Sequence, residues 1–280
     1  MSVAAGTAMR APAAVPVPAH AALRAMVHRG LLDNRRAPLV WGGPLGAMSA
    51  LVVALYPSIR EALAGAVKSY PAGLKEAFGI TDLGTVEAYL SAEMFSLFLP
   101  LAVAYFAMRC VAASIAGAEE HGYLDTVLST PIARSRLVAG TFATVAIAVA
   151  AVLLVVGALT AAGAALVGEP IAISRLVAAL AGVWGLALFF AGCATLAAGT
   201  LHRAAPVLGA GAGLLGGMYL LDVLGKLADL DALRWLSAFR YFGTPLTDGL
   251  DATGLAILVI AGVLLAAAGA ACFERRDLTG

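Results

Sequence analysis

The chain has 280 residues, of which 61% are hydrophobic and only 12% charged, with a mean hydropathy of +0.93. So few charges cannot cover the surface of a soluble domain of this size, and a net charge of +1 without basic, aromatic-interleaved runs excludes a nucleic-acid partner. Alternating strands of about 10 residues, the mark of a transmembrane barrel, are absent; what remains is an all-α integral membrane protein.

In chain order, residues 1–20 hold Pro12, Pro16 and Pro18 among alanines and valines, with one arginine. They lack the continuous apolar core of a signal peptide and read as a flexible cytoplasmic tail. Over 21–36 the apolar Leu23, Met26, Val27, Leu31 and Leu32 follow helical spacing, while Arg24, His28, Arg29, Arg35 and Arg36 mostly take the other faces. A basic amphipathic helix just before a span is expected to lie along the membrane surface. The rest, 37–280, predicts one permease-like bundle of six transmembrane helices at about 38–56, 94–117, 137–166, 174–199, 205–225 and 253–273. Pro206 suits the first turn of the fifth, and Pro100 predicts a kink in the second.

Orientation follows from the basic residues. With the N-terminus inside, 11 of the 18 lysines and arginines are cytoplasmic against 6 acidic residues; the outer segments hold 7 basic and 11 acidic residues, including every lysine. The expected location is the cell membrane, multi-pass, with both termini cytoplasmic.

Within the spans, Cys110, Cys193 and Cys272 are scattered and read as small hydrophobes, neither a disulfide framework nor a metal site. Arg109 sits about two turns inside the end of the second helix, where it either snorkels to the inner interface or lines an inward cavity. Gly209, Gly213 and Gly217 are spaced by four in the fifth helix and allow close helix approach, either within the chain or at a subunit seam. Asp222 and Lys226 read as an i,i+4 pair at its outer end. The outer segment 230–247, with Trp235, Phe239, Tyr241 and Phe242, reads as interfacial anchoring or as a re-entrant lid.

The loop between helices two and three is too well punctuated for a bare connector. Glu119, Glu120 and Asp125 come early in a short helix, complementing its positive end, and Tyr123, Leu124, Val127 and Leu128 form an apolar ridge. Ser129 and Thr130 stop it, Thr130-Pro131 restarts a helix, and Arg134 and Arg136 anchor that helix at the inner interface. A solvated loop needs only a few polar residues; a capped amphipathic helix points to protein docking. His121 and Asp125 share a face from which Glu119 points away, so no metal set forms, and no HExxH occurs.

The residues from Glu119 to Arg134 read EEHGYLDTVLSTPIAR. They resemble the signature E-E-x-G-x-L-(D/E)-x-L-L-(S/A)-x-P-(I/V)-S-R of type-2 ABC exporter permeases, with Val127 and Ala133 as mild departures. Glu93-Met94-Phe95-Ser96, Leu99-Pro100, Arg234-Trp235-Leu236-Ser237 and the ending Phe273-Glu274-Arg275-Arg276-Asp277-Leu278 are similar to other pieces of that family, nearest to its polyketide-antibiotic and multidrug exporters. The resemblance extends over nearly all of the chain beyond residue 20. It implies an elbow helix carrying Arg24, Arg29, Arg35 and Arg36. It also implies a coupling helix through which Glu119, Glu120, Gly122, Tyr123, Leu124, Asp125, Leu128, Pro131 and Arg134 engage an ATPase. Arg109, Gly209, Gly213 and Gly217 become candidates for the pathway or a permease interface.

No G-x-x-x-x-G-K-(S/T) phosphate loop occurs: Gly225-Lys226 is followed by leucine and lacks the upstream glycine. The ATPase is therefore expected to be a separate chain in two copies, which carries ATP and Mg, with no cofactor and no catalytic residue on this one. Further expected partners are a second permease, identical or similar, and membrane lipid. The substrate class is hydrophobic or amphiphilic: a drug, an antibiotic, a lipid or a peptide. A proton-driven secondary transporter is the alternative, but it wants buried carboxylates at the bilayer midplane. A membrane-embedded enzyme wants clustered catalytic groups at one depth. Neither pattern is found.

Overall fold

The computed structural model describes residues 19–68, 84–120 and 134–275, which contain helices and no strand. Helix α1 (Ala19–Asp33) leads through a π-turn (Pro38–Gly42) into α2 (Gly43–Lys68). After α3 (Val86–Leu90) and a second π-turn (Ser91–Phe95) come α4 (Phe98–Ser114) and α5 (Ala116–Glu120). The remainder is α6 (Arg134–Val167), α7 (Ile173–Thr200), α8 (Ala204–Leu227), the short α9 (Asp231–Trp235) and α10 (Ala238–Phe242), and α11 (Ala252–Glu274).

Six stretches are long and apolar enough to cross a membrane: Pro38–Glu61, Phe98–Glu120, Ser135–Val167, Ile173–Thr200, Ala204–Leu227 and Ala252–Glu274. They coincide with the six sequence-predicted spans to within about five residues at each end, the usual spread of helix boundaries. The second span departs most. It starts later than expected, at Phe98, and the predicted kink takes the form of a break: Leu97 leaves helical geometry at φ −136°, ψ −68°. Pro100 then lies in the first turn of α4, and its ring would have met the carbonyl of Ser96, where the helix stops. The Ser96 hydroxyl bonds back to the carbonyls of Ser91 (2.6 Å) and Ala92 (3.0 Å), holding the π-turn closed.

Helix α7 is the hub, packing on α4, α6, α8 and α11. Its most extensive partner is α11, and glycine explains why. Gly192 and Gly199 face Gly262 and Gly269, both pairs seven residues apart; a Cβ on Gly192 would strike the Gly262 carbonyl, and one on Gly262 would stand 2.7 Å from the Leu188 carbonyl. Lipid tails are as apolar as leucine, so helices associate through such close van der Waals contact of backbones. The matched order of contacts makes α7 and α11 parallel, as the fourth and sixth spans of an alternating series must be. A second parallel seam joins α2 to α6, where Gly46 meets Val156 and Leu159, Gly163 meets Ala50, and the buried Thr160 hydroxyl bonds the Ser49 hydroxyl at 2.7 Å.

Helix α1 matches the sequence-predicted amphipathic helix in extent and packs on the start of α6, with Met26 near Gly140 and Gly30 against Thr144. Leu23, Met26, Val27 and Leu31 are half-buried, Leu32 is exposed, and Arg24, Arg29, Arg35 and Arg36 all face outward. Asn34 bonds the Gly30 carbonyl (2.9 Å) and receives the Cys110 thiol (3.4 Å), tying the end of α1 to α4.

Candidate functional site: a membrane groove and its two polar ends

Between α4 and α8 runs an open groove of about 480 Å³, lined by Phe98, Leu101, Tyr105, Ala212, Leu215 and Gly216 among others. On α4 the positions 98, 101, 105 and 109 recur at helical spacing, so Arg109 continues the groove face one turn toward α5, and it is exposed. On α8, Gly209, Gly213 and Gly217 alternate along the chain with the groove-lining Ala212 and Gly216, and a Cβ built on any of the three meets nothing within 4 Å. Packing within the described chain therefore does not use these glycines. Gly211, which the sequence did not single out, makes the intrachain contact instead: a Cβ there would stand 2.6 Å from the Met108 sulfur.

Glu119 and Glu120 are the last residues of α5 before the segment 121–133, which lies outside the described residues together with the coupling helix that the sequence places there. Among the described residues both glutamates meet the start of α8. Glu119 Oε1 pairs with His202 Nδ1 at 2.9 Å, and the backbone N–H of Ala204, first residue of α8, donates to Glu120 Oε2 at 3.3 Å. That N–H is one of the four that a helix start leaves without a partner inside the helix, and the macrodipole there favours a carboxylate. The two segments lie close: a Cβ on Gly117 would make ordinary contact, 3.9 Å, with the Ala204 methyl. Gly122, Tyr123, Leu124, Asp125, Leu128 and Pro131 lie outside the described residues, as do the 1–18 tail and the ending beyond Arg275. Arg134 begins α6.

The C-terminal end of α8 holds a charge cluster. Asp222 is buried, at 4% exposure, and its pair with Lys226 (2.8 Å) is more than the surface i,i+4 pair expected. Arg234 of α9 brings Nε to 3.7 Å from the other carboxylate oxygen, and Asp231 bridges Arg234 (3.3 Å) and Arg240 (3.2 Å). The Arg240 guanidinium caps the Trp235 ring at 4.3 Å. Gly225 permits this: a Cβ there would stand 2.5 Å from Arg234 Cγ. The Ser237 hydroxyl donates to the Met218 carbonyl at 2.7 Å, pinning the α9–α10 hairpin onto α8. Phe239 and Phe242, sequence candidates for interfacial anchors, are buried core, with Phe239 packed on Phe190 and Tyr219; Trp235 alone of the four aromatics is fully exposed. Beside Asp222 lies a cavity of about 30 Å³ lined by Ser91, Ser96, Tyr219, Lys226 and Thr244, room for about one water.

Sequence reasoning passed over His202, Asp231 and Arg240, and took Arg234 only as part of the Arg234-Trp235-Leu236-Ser237 resemblance. His202-Arg203, the one charged dipeptide between spans four and five, was the available signal for the first; nothing local marks the others.

A comparison with curated proteins found no match. A family model described as "Multidrug efflux system permease Rv1217c, C-terminal domain" matches residues 21–274. The match begins at α1 and ends with α11, so it takes in all six spans, the groove and both polar ends. The chain belongs to this multidrug efflux permease family, and so to the membrane subunits of type-2 ABC exporters.

Proposed function

We propose that the chain forms one half of an ATP-driven efflux pathway, paired through the α8 face with a second permease and driven by two copies of a separate ATPase. The observation that carries the reading is the open face of α8: three glycines at spacing four, unused within the chain, beside an apolar groove. A second copy laid on that face would close the groove into a cavity between permeases, suited to hydrophobic or amphiphilic cargo, with Arg109 as its cationic inner end. The segment 121–133, rich in apolar ridge residues and lacking any phosphate loop of its own, is the docking element, and α1 lies at the inner membrane surface. ATP and Mg belong to the partner. The α9–α10 hairpin covers the outer end.

Co-expression with the ATPase tests this. The assembled complex is expected to hydrolyse ATP, and the chain purified alone is not. Leu128→Asp is expected to lose about 1–3 kcal/mol of docking, read as loss of the ATPase from the purified complex, because interfaces concentrate their energy in a few anchors. ATP hydrolysis by the isolated chain defeats the proposal.

The orientation predicted by the arginine count has its own check. In a cysteine-free background, an impermeant thiol reagent added to intact cells is expected to label Trp235→Cys and to leave Arg203→Cys untouched. External labelling at 203 would invert the topology.

A further inference from the structure

The two cytoplasmic connections meet at one point. α5 ends in Glu119 and Glu120, immediately before the segment read above as the docking element. His202 and Ala204 open α8, which walls the groove. Two polar contacts, 2.9 Å and 3.3 Å, bridge them across more than 80 residues of sequence. We infer that the Glu119–His202 and Glu120–Ala204 contacts act as a clasp that passes displacement of the docking segment directly to the start of α8, so that ATP-driven motion reaches the groove wall through the contact between α5 and α8 and not only along α4. This inference rests on the docking reading proposed above.

The physical argument has three parts. First, α5 follows α4 with the helical bonds carried across Ile115, whose N–H reaches the Val111 carbonyl (3.0 Å) and whose carbonyl accepts from the Glu119 N–H (3.2 Å), so the two glutamates stand at the end of one continuous span. Displacement there travels along α4, and a second attachment is what carries it to another element. Second, the Glu120 contact is made to the first N–H of α8, at the axis of the helix, where the full peptide dipole favours the carboxylate. A pull there displaces the 24-residue helix α8 as a unit. Third, α8 packs chiefly on α4, α7 and the outer hairpin and leaves its glycine face open, so it is the least confined of the groove-lining elements. Coupling carried by contiguous contacts between rigid elements requires such a chain of attachment, and here each link is a named pair.

The test uses the complex of permease and ATPase in lipid vesicles, with a spin label at Leu214→Cys, an exposed position of α8 beside the glycine stripe, in an otherwise cysteine-free chain. Trapping the ATPase with ATP and vanadate is expected to change the label's spectrum. Glu120→Ala and His202→Ala should each retain the ATPase through purification but reduce that change about fivefold or more, the lower end of couplings between sites. In a Glu120→Cys, Ala204→Cys, Leu214→Cys chain labelled in two steps, a short bifunctional thiosulfonate bridging 120 and 204 should restore it. A full spectral response in the alanine variants overturns the clasp, as does a wild-type complex with bound ATPase but no response. Loss of the ATPase from the alanine variants also overturns it, because the contact would then serve docking. Failure of the unsubstituted chain to retain any ATPase is a different outcome, and it removes the docking reading itself.

Discussion

Gly262→Leu is expected to prevent the chain from accumulating as a folded, monodisperse membrane protein, and Gly192→Leu to do the same. At both sites the new Cβ meets backbone on the facing helix: the Leu188 carbonyl at 2.7 Å for residue 262, and the Gly262 carbonyl for residue 192. Backbone cannot rotate away as a side chain can, so α7 and α11 must separate along their whole seam. Overpacking usually costs about 1–3 kcal/mol, and a backbone collision in the bundle's largest helix pairing belongs at or beyond the top of that range. The control is Gly213→Leu. Its Cβ meets nothing, and leucine is the better helix former by up to about 1 kcal/mol, so the single chain should be no less stable. If α8 is the permease seam, Gly213→Leu should instead lower the dimer fraction in size-exclusion chromatography. Thermal unfolding in detergent separates the two: equal melting points for Gly262→Leu and Gly213→Leu would mean that the α7–α11 glycines are not what holds the bundle.

Asp222→Ala is expected to loosen the outer hairpin. Its carboxylate is 4% exposed and faces both Lys226 and Arg234, so its removal leaves two cations together with no counter-charge. Breaking a buried pair from one side costs about 3–5 kcal/mol; these cations are each about a quarter exposed, which reduces the figure to roughly 2–3 kcal/mol. The reporter is Ala238→Cys, a buried position on α10 that should react with thiol reagents slowly in the parent and at least tenfold faster with Asp222→Ala. Adding Lys226→Ala and Arg234→Leu should slow the reaction again, because an absent charge needs no partner. Unchanged reactivity of the thiol at position 238 in the Asp222→Ala chain would show that the hairpin is held by Phe239, Phe242 and Ser237 without help from the cluster.

Much of the architecture was legible in the residues because lipid imposes a one-dimensional rule. A span must be helical and about 20 apolar residues long, so the six segments can be bounded from composition alone. The N-terminal amphipathic helix was legible for a similar reason: the alternation of Leu23, Met26, Val27 and Leu31 with arginines is a local periodicity, and those residues are the half-buried ones. Pro100 was legible in kind but not in detail. The proline required an interruption, but whether the helix would bend through it or restart before it depended on the π-turn that Ser96 holds closed.

Pairings were not legible, because they depend on which faces meet. The spacing-four glycines of the fifth span drew attention, yet they touch nothing, while the spacing-seven glycines of the fourth and sixth spans form the tightest contact in the bundle. Both patterns are equally good invitations to close approach; only the arrangement of α7 beside α11 decided which was accepted within the chain. Glu119 and Glu120 announced a positive helix end, but no local pattern states that they reach the start of α8, more than 80 residues on. In the same way Asp222 and Lys226 four apart determine their own pair, whereas Arg234 and Asp231 join it because the chain folds back after Leu227 and Gly225 leaves room. What the sequence alone determined is the medium, the number of crossings and the family, all of which follow from local apolar length and contiguous motifs. What only the tertiary structure decided is which small residues are seams, which charges are buried and which loops touch, because these depend on helix rotation and neighbour choice, and a linear pattern carries neither.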